Sequence, residues 1–396
     1  MTAVDKIRQI PMSAPDLTDR EREAVAAVMR TTQLSMGAQL EAFETAVAQY
    51  AGAAHAVAVN SGTAGLHLCV RAMGIQSGDY VITTPFSFVA SANVLLYEGA
   101  IPVFVDVDPR TGNIDATQVA EAAQDFHRGG GSARAWLPWK NAPEDGRLRA
   151  LLPVDVFGQP AEYDRLLATA KEHGLMLLED SCEAIGAEYH GKLAGMLGDA
   201  GVFAFYPNKQ MTTAEGGVIV TDQVKIAEIA RALRNQGRAP GDTWLQHTYL
   251  GYNYRMTEMS AALGCAQMDR LDSLIEKRSR VALWYAERLN LIEAVEVPQV
   301  VESTTRMSWF VYVIRLRPGL DQVTVAEKLA AHGVPSRPYF APIHLQPYFR
   351  ERFGYEPGDF PVTEDLGSRG LAIPFSSIMP EEDVDYVCRA IEDAVR

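Results

Sequence analysis

The residue with the clearest chemical potential is Lys209, which lies in the stretch FAFYPNKQMTTAEGG at residues 203–217. The pattern predicts one apolar strand before it, residues 201–205, and another after it, residues 218–221. A buried ammonium group costs free energy unless it is paired or neutralised. A lysine with a lowered pKa can form a Schiff base, whereas a lysine in a loop can simply extend its ammonium into water. The stretch alone leaves both interpretations open.

Three further features lie at the ends of predicted strands. The turn NSGTAG at residues 60–65 would expose backbone N–H groups to an anion such as a phosphate, although many ordinary strand-to-helix turns look the same. Phe88 follows a predicted strand and could stack on a planar ring or belong to the core. The run EDSCE at residues 179–183 puts carboxylates at a strand end, where Asp180 could pair with a ring nitrogen or cap a helix.

These features belong to a chain that alternates short apolar strands with helices. The strands are predicted at residues 55–59, 80–84, 101–105, 151–156 and 176–179. Such alternation indicates parallel βαβ units covered by helices on both faces. Ligands of open α/β sheets bind at the carboxyl ends of the strands, so we expect the four features to converge.

The fold class that follows is α/β, with two domains. We predict a large three-layer domain with a mostly parallel central sheet, residues 1–260, and a smaller C-terminal α+β domain, residues 261–396. The boundary falls within a long helix predicted at residues 257–286. The segment 126–149 interrupts the alternation and contains Trp136 and Trp139. It is interpreted as a solvated surface insertion, with a lid or a subunit contact as the alternative.

Composition narrows the class of protein. The chain has 396 residues, of which 47% are hydrophobic and 22% charged, as in a globular enzyme. Its net charge of -14 argues against a nucleic-acid partner. The four cysteines are scattered without a CxxC, which indicates intracellular thiols and neither a disulfide framework nor a metal site. The N-terminus lacks a signal-peptide core and no apolar run is long enough to span a bilayer, so we expect no membrane partner and a cytoplasmic protein.

One cofactor accounts for the four features together. Pyridoxal 5'-phosphate (PLP) needs a lysine for its aldehyde, a carboxylate for its ring nitrogen, an anion cradle for its phosphate and a flat side chain over its ring. The chain offers one feature for each of these needs, in the same order: Lys209, Asp180, the turn at residues 60–65 and Phe88. Each feature is ambiguous alone, and their conjunction predicts a PLP enzyme.

Several motifs also resemble a known family, the DegT/DnrJ/EryC1/StrS sugar aminotransferases of the aspartate-aminotransferase-like fold (fold type I). The motifs are NSGTAGLHL (60–68), PFSFVASAN (85–93), PVDVFGQP (153–160), EDSCEAIGAEY (179–189), FYPNKQMTTAEGG (205–217), GYNYRMTEMSAALG (251–264) and IHLQP (343–347). The resemblance implies a PLP-dependent transfer of an amino group from L-glutamate to a nucleotide-linked keto-sugar, with a 4-keto-6-deoxy sugar favoured. It also implies a homodimer with active sites shared at the interface.

The resemblance assigns roles by position. Lys209 is similar to the lysine that binds the cofactor, Asp180 to the ring-nitrogen partner and Phe88 to the stacking ring. The other positions divide between phosphate and substrate. They are Gly62, Thr63 and Ala64 at the phosphate, Asn253 and Arg255 reaching it from the other subunit, and Ser35 and His344 near the sugar.

Two positions depart from the family pattern. Members commonly carry Gln where this chain has Glu183, beside the phenolic oxygen of the cofactor. Because a carboxylate would be repelled there, Glu183 is predicted to be protonated, with a raised pKa, or to point elsewhere. Many members carry Ser where this chain has Ala204, and the lost hydroxyl removes a charge-assisted hydrogen bond of roughly 1.5–3 kcal/mol unless another donor replaces it.

Two alternative functions stay open at this point. Some relatives act on keto-cyclitols, and a fold of this kind can also serve a non-catalytic regulatory protein. A further branch of the family carries histidine in place of the lysine and dehydrates sugars, so Lys209 favours the transaminases.

Overall fold

The computed structural model describes residues 8–143 and 146–396. Residues 1–7 and 144–145 lie outside it, so the prediction about the N-terminus and part of the segment 126–149 fall outside the described residues. The described strands are β1 (His55–Val59), β2 (Tyr80–Thr83), β3 (Ile101–Phe104), β4 (Leu148–Leu152), β5 (Met176–Asp180), β6 (Glu188–Tyr189), β7 (Lys192–Leu193), β8 (Ala200–Ala204), β9 (Gly217–Thr221), β10 (Val295–Glu296), β11 (Thr304–Arg306), β12 (Tyr312–Leu316), β13 (Arg337–Pro338) and β14 (Gly370–Ile373).

The described helices connect and cover these strands. They are α1 (Asp19–Val28), α2 (Ala38–Ala51), α3 (Gly62–Ala72), α4 (Ala90–Tyr97), α5 (Ala116–Arg128), α6 (Gly130–Arg134), α7 (Tyr163–His173), α8 (Val224–Arg234), α9 (Glu258–Met268), α10 (Leu271–Leu289), α11 (Gln322–Ala331), α12 (Pro347–Phe353), α13 (Pro361–Arg369) and α14 (Glu381–Val395).

A seven-stranded sheet forms the centre of the larger part, in the order β1-β9-β8-β5-β4-β2-β3. The pairs from β8 to β3 are parallel, and β9 runs antiparallel to both of its neighbours. The prediction of a mostly parallel α/β sheet is confirmed. The antiparallel strand arises because the turn that carries Lys209 returns the chain directly beside β8, so that Gly217 pairs with Ala204.

The sheet is covered on both faces, because neighbouring side chains of one strand enter different cores. On β1, Val57 and Val59 pack with α3, α4 and α8, whereas Ala56 and Ala58 pack with α2 and α9. The period of two in strand side chains produces this division. A strand buried on both faces reads as a continuous apolar run, which is why these strands were recognisable in the sequence.

The C-terminal part is built on a second, antiparallel sheet in the order β10-β12-β14-β13, packed with α10, α11 and α14. The predicted smaller α+β unit is therefore present. The predicted continuous helix at residues 257–286 is wrong, since the backbone of Arg270 leaves helical geometry between α9 and α10. There its guanidinium bonds Asp16 and Glu21. The domain division at residue 260 stays a prediction.

The segment that interrupts the sequence pattern is partly helical. It extends α5 to Arg128 and then forms the short α6. The indole of Trp136 donates to Asp125 at 2.9 Å, while Trp139 is exposed. Neither tryptophan faces Lys209. Among the described helices, none combines the length and apolar character that crossing a bilayer requires.

Candidate active site

The carboxyl ends of the central strands meet at a cavity of about 440 Å³. Its lining includes Gly62, Thr63, Phe88, Asp180, Glu183 and Lys209. These residues come from four separate turns or strand ends. Parallel strands bring their carboxyl ends to the same edge of a sheet, and this geometry explains the convergence. The structure thus brings together six of the nine residues that the sequence singled out for binding PLP.

Lys209 occupies the turn between β8 and β9. Its Nζ lies 3.5 Å from Glu183 Oε1 and 3.7 Å from the ring centre of Phe310. The backbone N–H of Lys209 donates to the Tyr206 carbonyl at 2.9 Å. Only 12% of the side chain is exposed, so the amine points inward and does not extend into water. This placement removes the interpretation of Lys209 as a solvent-reaching loop residue.

Asp180 ends β5 and presents its carboxylate to the cavity. Ser91 Oγ donates to Oδ2 at 2.6 Å, and the Cys182 N–H donates to Oδ1 at 3.2 Å. Ser87 in turn lies 3.0 Å from Ser91 through their hydroxyls. These bonds fix the orientation of a side chain that is 4% exposed. Sequence reasoning missed Ser91, although its position three residues after Phe88, at the start of α4, was a usable signal.

Glu179, the neighbour of Asp180, faces the opposite side of the sheet. Its carboxylate accepts hydrogen bonds from the backbone N–H groups of Gly195, Leu197 and Gly198. Burial raises the pKa of Glu179 to about 8. The alternation of strand side chains therefore separates a carboxylate that holds a turn from one that faces the cavity.

The N-terminus of α3 forms one wall of the cavity. Ser61 caps the helix, and its Oγ accepts from the Ala64 N–H at 3.1 Å. The N–H groups of Gly62 and Thr63 lie in the first turn, where a helix offers no carbonyl partner. Of the three predicted phosphate donors, Ala64 is thus already bonded to Ser61, whereas Gly62 and Thr63 are placed to receive an anion.

Close packing explains why Gly62 is a glycine. A Cβ there would lie 2.7 Å from Ala204 Cβ and 2.8 Å from Cys182 Sγ. The helix can therefore begin directly against the end of β8, which brings its N–H groups close to Lys209. Ala204 itself lines the cavity, at the position where the resemblance leads one to expect a hydroxyl.

Aromatic side chains form the remaining walls. Phe88 is 65% exposed and Tyr206 is 53% exposed at the rim. Phe88 is thus not a core residue, which favours stacking on a planar ring. Phe310 and Tyr339 also line the cavity and come from the C-terminal part. Sequence reasoning missed both, because no local pattern connects them with residues more than ninety positions earlier in the chain.

Glu183 lies beside the lysine. Oε2 accepts from the Phe157 N–H at 2.9 Å, and Oε1 faces Lys209 Nζ. Burial raises the pKa of Glu183, and the nearby Lys209 opposes this shift. The side chain of Glu183 is thus directed at the lysine, and its burial favours the raised pKa over the alternative that it points elsewhere.

Four predicted site residues lie away from this cavity in the described chain. Ser35 is exposed and forms an antiparallel bridge with Thr257. Asn253 is exposed and Arg255 donates to Asn235 Oδ1 at 3.0 Å, so both would need a second subunit to act at a cavity of this kind. His344 is fully buried, and its Nε2 lies 3.0 Å from Glu364 Oε1. Burial lowers the pKa of His344. The roles of these four residues in binding the cofactor or the substrate stay predictions.

Comparison with known proteins shows which family the chain belongs to. Residues 15–392 match the family model described as DegT/DnrJ/EryC1/StrS aminotransferase family. The chain is 38% identical over 391 residues to the GDP-perosamine synthase of Caulobacter vibrioides, covering 98% of both. It superimposes on Helicobacter pylori PseC, an aminotransferase involved in the biosynthesis of pseudoaminic acid, with TM-score 0.87, 27% identity and coverage of 98% and 99%. It also superimposes on DesI, determined in the presence of its TDP-sugar product, with TM-score 0.84, 31% identity and coverage of 99% and 94%.

The fold and the cavity define a PLP-dependent aminotransferase. The chain belongs to the DegT/DnrJ/EryC1/StrS aminotransferase family.

The residues of the cavity fit the cofactor. Asn208 Oδ1 is buried without a hydrogen-bond partner among the described residues, and its side chain lines the cavity beside Lys209, as expected where a polar molecule binds. Lys209 would hold the aldehyde covalently, Asp180 the ring nitrogen, and the N–H groups of Gly62 and Thr63 the phosphate. When bound, PLP supplies an electron sink for the carbon that gains or loses the amine.

Proposed function

We propose that this enzyme transfers the amino group of L-glutamate to a nucleotide-linked keto-sugar, in particular a 4-keto-6-deoxy sugar, in the biosynthesis of amino sugars. The observation that carries the proposal is the convergence of Lys209 Nζ, the Asp180 carboxylate and the N-terminus of α3 in one cavity. The names of two relatives support the nucleotide, since one is a GDP-perosamine synthase and the other was determined with a TDP-sugar product.

Each residue has a defined task in this proposal. The Lys209 amine holds the cofactor and, once released, carries a proton to and from the substrate carbon. Asp180, fixed by Ser91, keeps a cationic ring nitrogen in place. Burial raises the pKa of Glu183, which favours its neutral form at a place where a carboxylate would repel a phenolic oxygen. The aromatic walls at Phe310 and Tyr339 offer an apolar surface that suits a sugar carrying a methyl group.

The proposal includes a homodimer that shares its active sites. Trp244, Leu245 and Leu250 are 77%, 83% and 81% exposed in the loop before Asn253, and large apolar side chains exposed together favour a protein contact. Sedimentation velocity tests the dimer. Mixing Lys209→Ala with Arg255→Ala subunits tests the shared site, because hybrid dimers would regain activity that neither variant shows alone.

The decisive experiment replaces the lysine. Lys209→Ala should abolish glutamate-dependent transamination and the visible absorbance of the bound cofactor, whereas Lys225→Ala, at an exposed position, should leave both unchanged. Retained turnover in Lys209→Ala would overturn the assignment. An absorbance spectrum of the wild-type protein that L-glutamate does not alter would instead point to a non-catalytic protein.

A substrate panel settles the acceptor. Wild-type protein loaded with the amino form of the cofactor is offered nucleotide-linked 3-keto and 4-keto sugars together with keto-cyclitols. Amination of a nucleotide-linked 4-keto-6-deoxy sugar is expected. Amination of a keto-cyclitol alone would contradict the proposed substrate while leaving the transaminase chemistry intact.

A further inference from the structure

A fully buried arginine lies behind the catalytic turn. Arg278 projects from α10, is 1% exposed, and has no carboxylate within 4.0 Å of its guanidinium among the described residues. Burial lowers its pKa to about 10, so it stays charged at neutral pH. A buried charge without a counter-ion is costly unless dense hydrogen bonding compensates it. Such a residue is expected to have a specific structural task.

The compensation comes from four backbone carbonyls on two segments. Nη2 donates to the carbonyls of Asn208 at 3.1 Å and Lys209 at 2.6 Å. Nη1 donates to the carbonyls of Trp309 at 3.3 Å and Phe310 at 3.0 Å. The planar, forked guanidinium suits such a double contact, which a single ammonium cannot reproduce. Arg278 therefore fastens the catalytic turn to the segment that precedes β12.

The two segments that Arg278 holds, the catalytic turn and the segment before β12, together surround Lys209 Nζ. The first carries Lys209 itself, and the second carries Phe310, whose ring centre lies 3.7 Å from Lys209 Nζ. The same second segment continues the chain of contacts, since the Phe310 N–H donates to the Phe157 carbonyl and the Phe157 N–H donates to Glu183 Oε2. The amine, the ring and the carboxyl near it thus share one anchor.

We propose that Arg278 is a positioning residue that sets where Lys209 Nζ lies relative to Phe310 and Glu183. This inference rests on the proposed role of Lys209 as the cofactor-binding and proton-carrying amine. Arg278 does not touch the cavity, and it acts through the backbone of the residues that do.

Two replacements of Arg278 distinguish a positioning role from a role of its charge alone and from a role in filling space. Arg278→Lys keeps the charge but offers a single donor group, and Arg278→Met keeps much of the length without charge. Arg280→Met, at an exposed position two residues further along α10, is the matched control. Positioning predicts that kcat falls on the order of 100-fold in both Arg278 variants, since a shift of about 1 Å can cost that much, with little change in KM for glutamate. The control should match the wild type.

A second readout needs no cofactor. In cofactor-free protein, limiting acetic anhydride labels Lys209 and exposed Lys225, and mass spectrometry gives the ratio of the two rates. Both Arg278 variants should change this ratio several-fold, and Arg280→Met should leave it unchanged. Because the ratio reports the environment of Nζ directly, it tests Arg278 even if Lys209→Ala were to retain turnover and the proposed function failed.

Each outcome decides the proposal. Wild-type values of both readouts in Arg278→Lys would show that charge suffices, and wild-type values in Arg278→Met would show that Arg278 only fills space; either result overturns the inference. If neither variant folds, the wild-type protein decides through its ¹⁵N-labelled arginine side chains. The Arg278 guanidinium resonances should then shift when Lys209 is reductively joined to the cofactor, and unshifted resonances would overturn the inference.

Discussion

Lys209 Nζ lies 3.5 Å from Glu183 Oε1 inside a cavity where both side chains are nearly inaccessible to water. Burial raises the pKa of the carboxyl while the neighbouring lysine opposes the shift. The protonation of Glu183 is therefore coupled to the amine that the reaction uses. A glutamine at this position would keep the shape and the Phe157 contact but remove the titration.

Glu183→Gln should change how stability depends on pH. Because the pKa of Glu183 is raised in the folded protein, the stability it contributes is fully present below its unfolded value of about 4.3 and is lost as the pH rises through the raised value. The free energy of unfolding of Glu183→Gln should therefore increase relative to that of the wild type as the pH rises from acid to alkaline. Urea unfolding of cofactor-free protein at a series of pH values measures this. Glu293→Gln, at an exposed position, is the control, and a pH-independent difference for Glu183→Gln would refute the prediction.

Ser91→Ala should weaken cofactor binding. The hydroxyl donates to Asp180 Oδ2, and a hydrogen bond to a charged group contributes roughly 1.5–3 kcal/mol, so the dissociation constant for PLP should rise about tenfold or more. Equilibrium dialysis measures it. Ser87→Ala removes a group that contacts Ser91 but not Asp180, and should have a smaller effect. Equal effects of the two variants would contradict the role given to Ser91.

Gly62→Ala should destabilise the protein and its phosphate site. The new Cβ would lie 2.7 Å from Ala204 Cβ, and overpacking of this kind costs roughly 1–3 kcal/mol. Thermal unfolding of cofactor-free protein and PLP affinity test the two effects. Gly131→Ala is the control, because a Cβ added there would meet nothing within 4 Å and its backbone is not strained. An unchanged unfolding midpoint in Gly62→Ala would contradict the packing argument.

Ala204→Ser should tighten PLP binding. It adds a donor at the end of β8, beside the N-terminus of α3, and one hydrogen bond to a charged group is worth roughly tenfold in affinity. Cofactor affinity is the measurement, and the stability of the cofactor-free variant is the control for misplacement. Unchanged affinity in a stable variant would indicate that another group already donates a hydrogen bond to the phosphate. Asn208 is the candidate for this group, since it lines the cavity.

The part of the site that follows regular strands was predictable from the sequence. Asp180, Lys209, Phe88 and the turn after β1 all follow apolar runs, and parallel topology brings the ends of such runs together. The mostly parallel sheet and the smaller α+β unit are confirmed.

The contacts made over long sequence distances were not predictable. Phe310 reaches Lys209 from about a hundred residues away, and nothing near it in sequence points to a cavity. Arg278 lies in the charged run EKRSR, which is typical of a solvated helix face, yet it is fully buried. The break of the predicted long helix at Arg270 likewise depends on ion pairs with Asp16 and Glu21, residues far away in the chain.

The direct return of the chain from β8 to β9 limits which lengths the catalytic turn can take. The pairing of Ala204 with Gly217 closes residues 205–216 into a loop whose two ends are fixed in register. One residue added or lost there would either slip β9, exchanging the two faces of a strand buried on both, or displace Lys209 along the turn. Insertions and deletions among relatives should therefore avoid residues 205–216 and accumulate in the surface segment around α6, where chain length is free to vary.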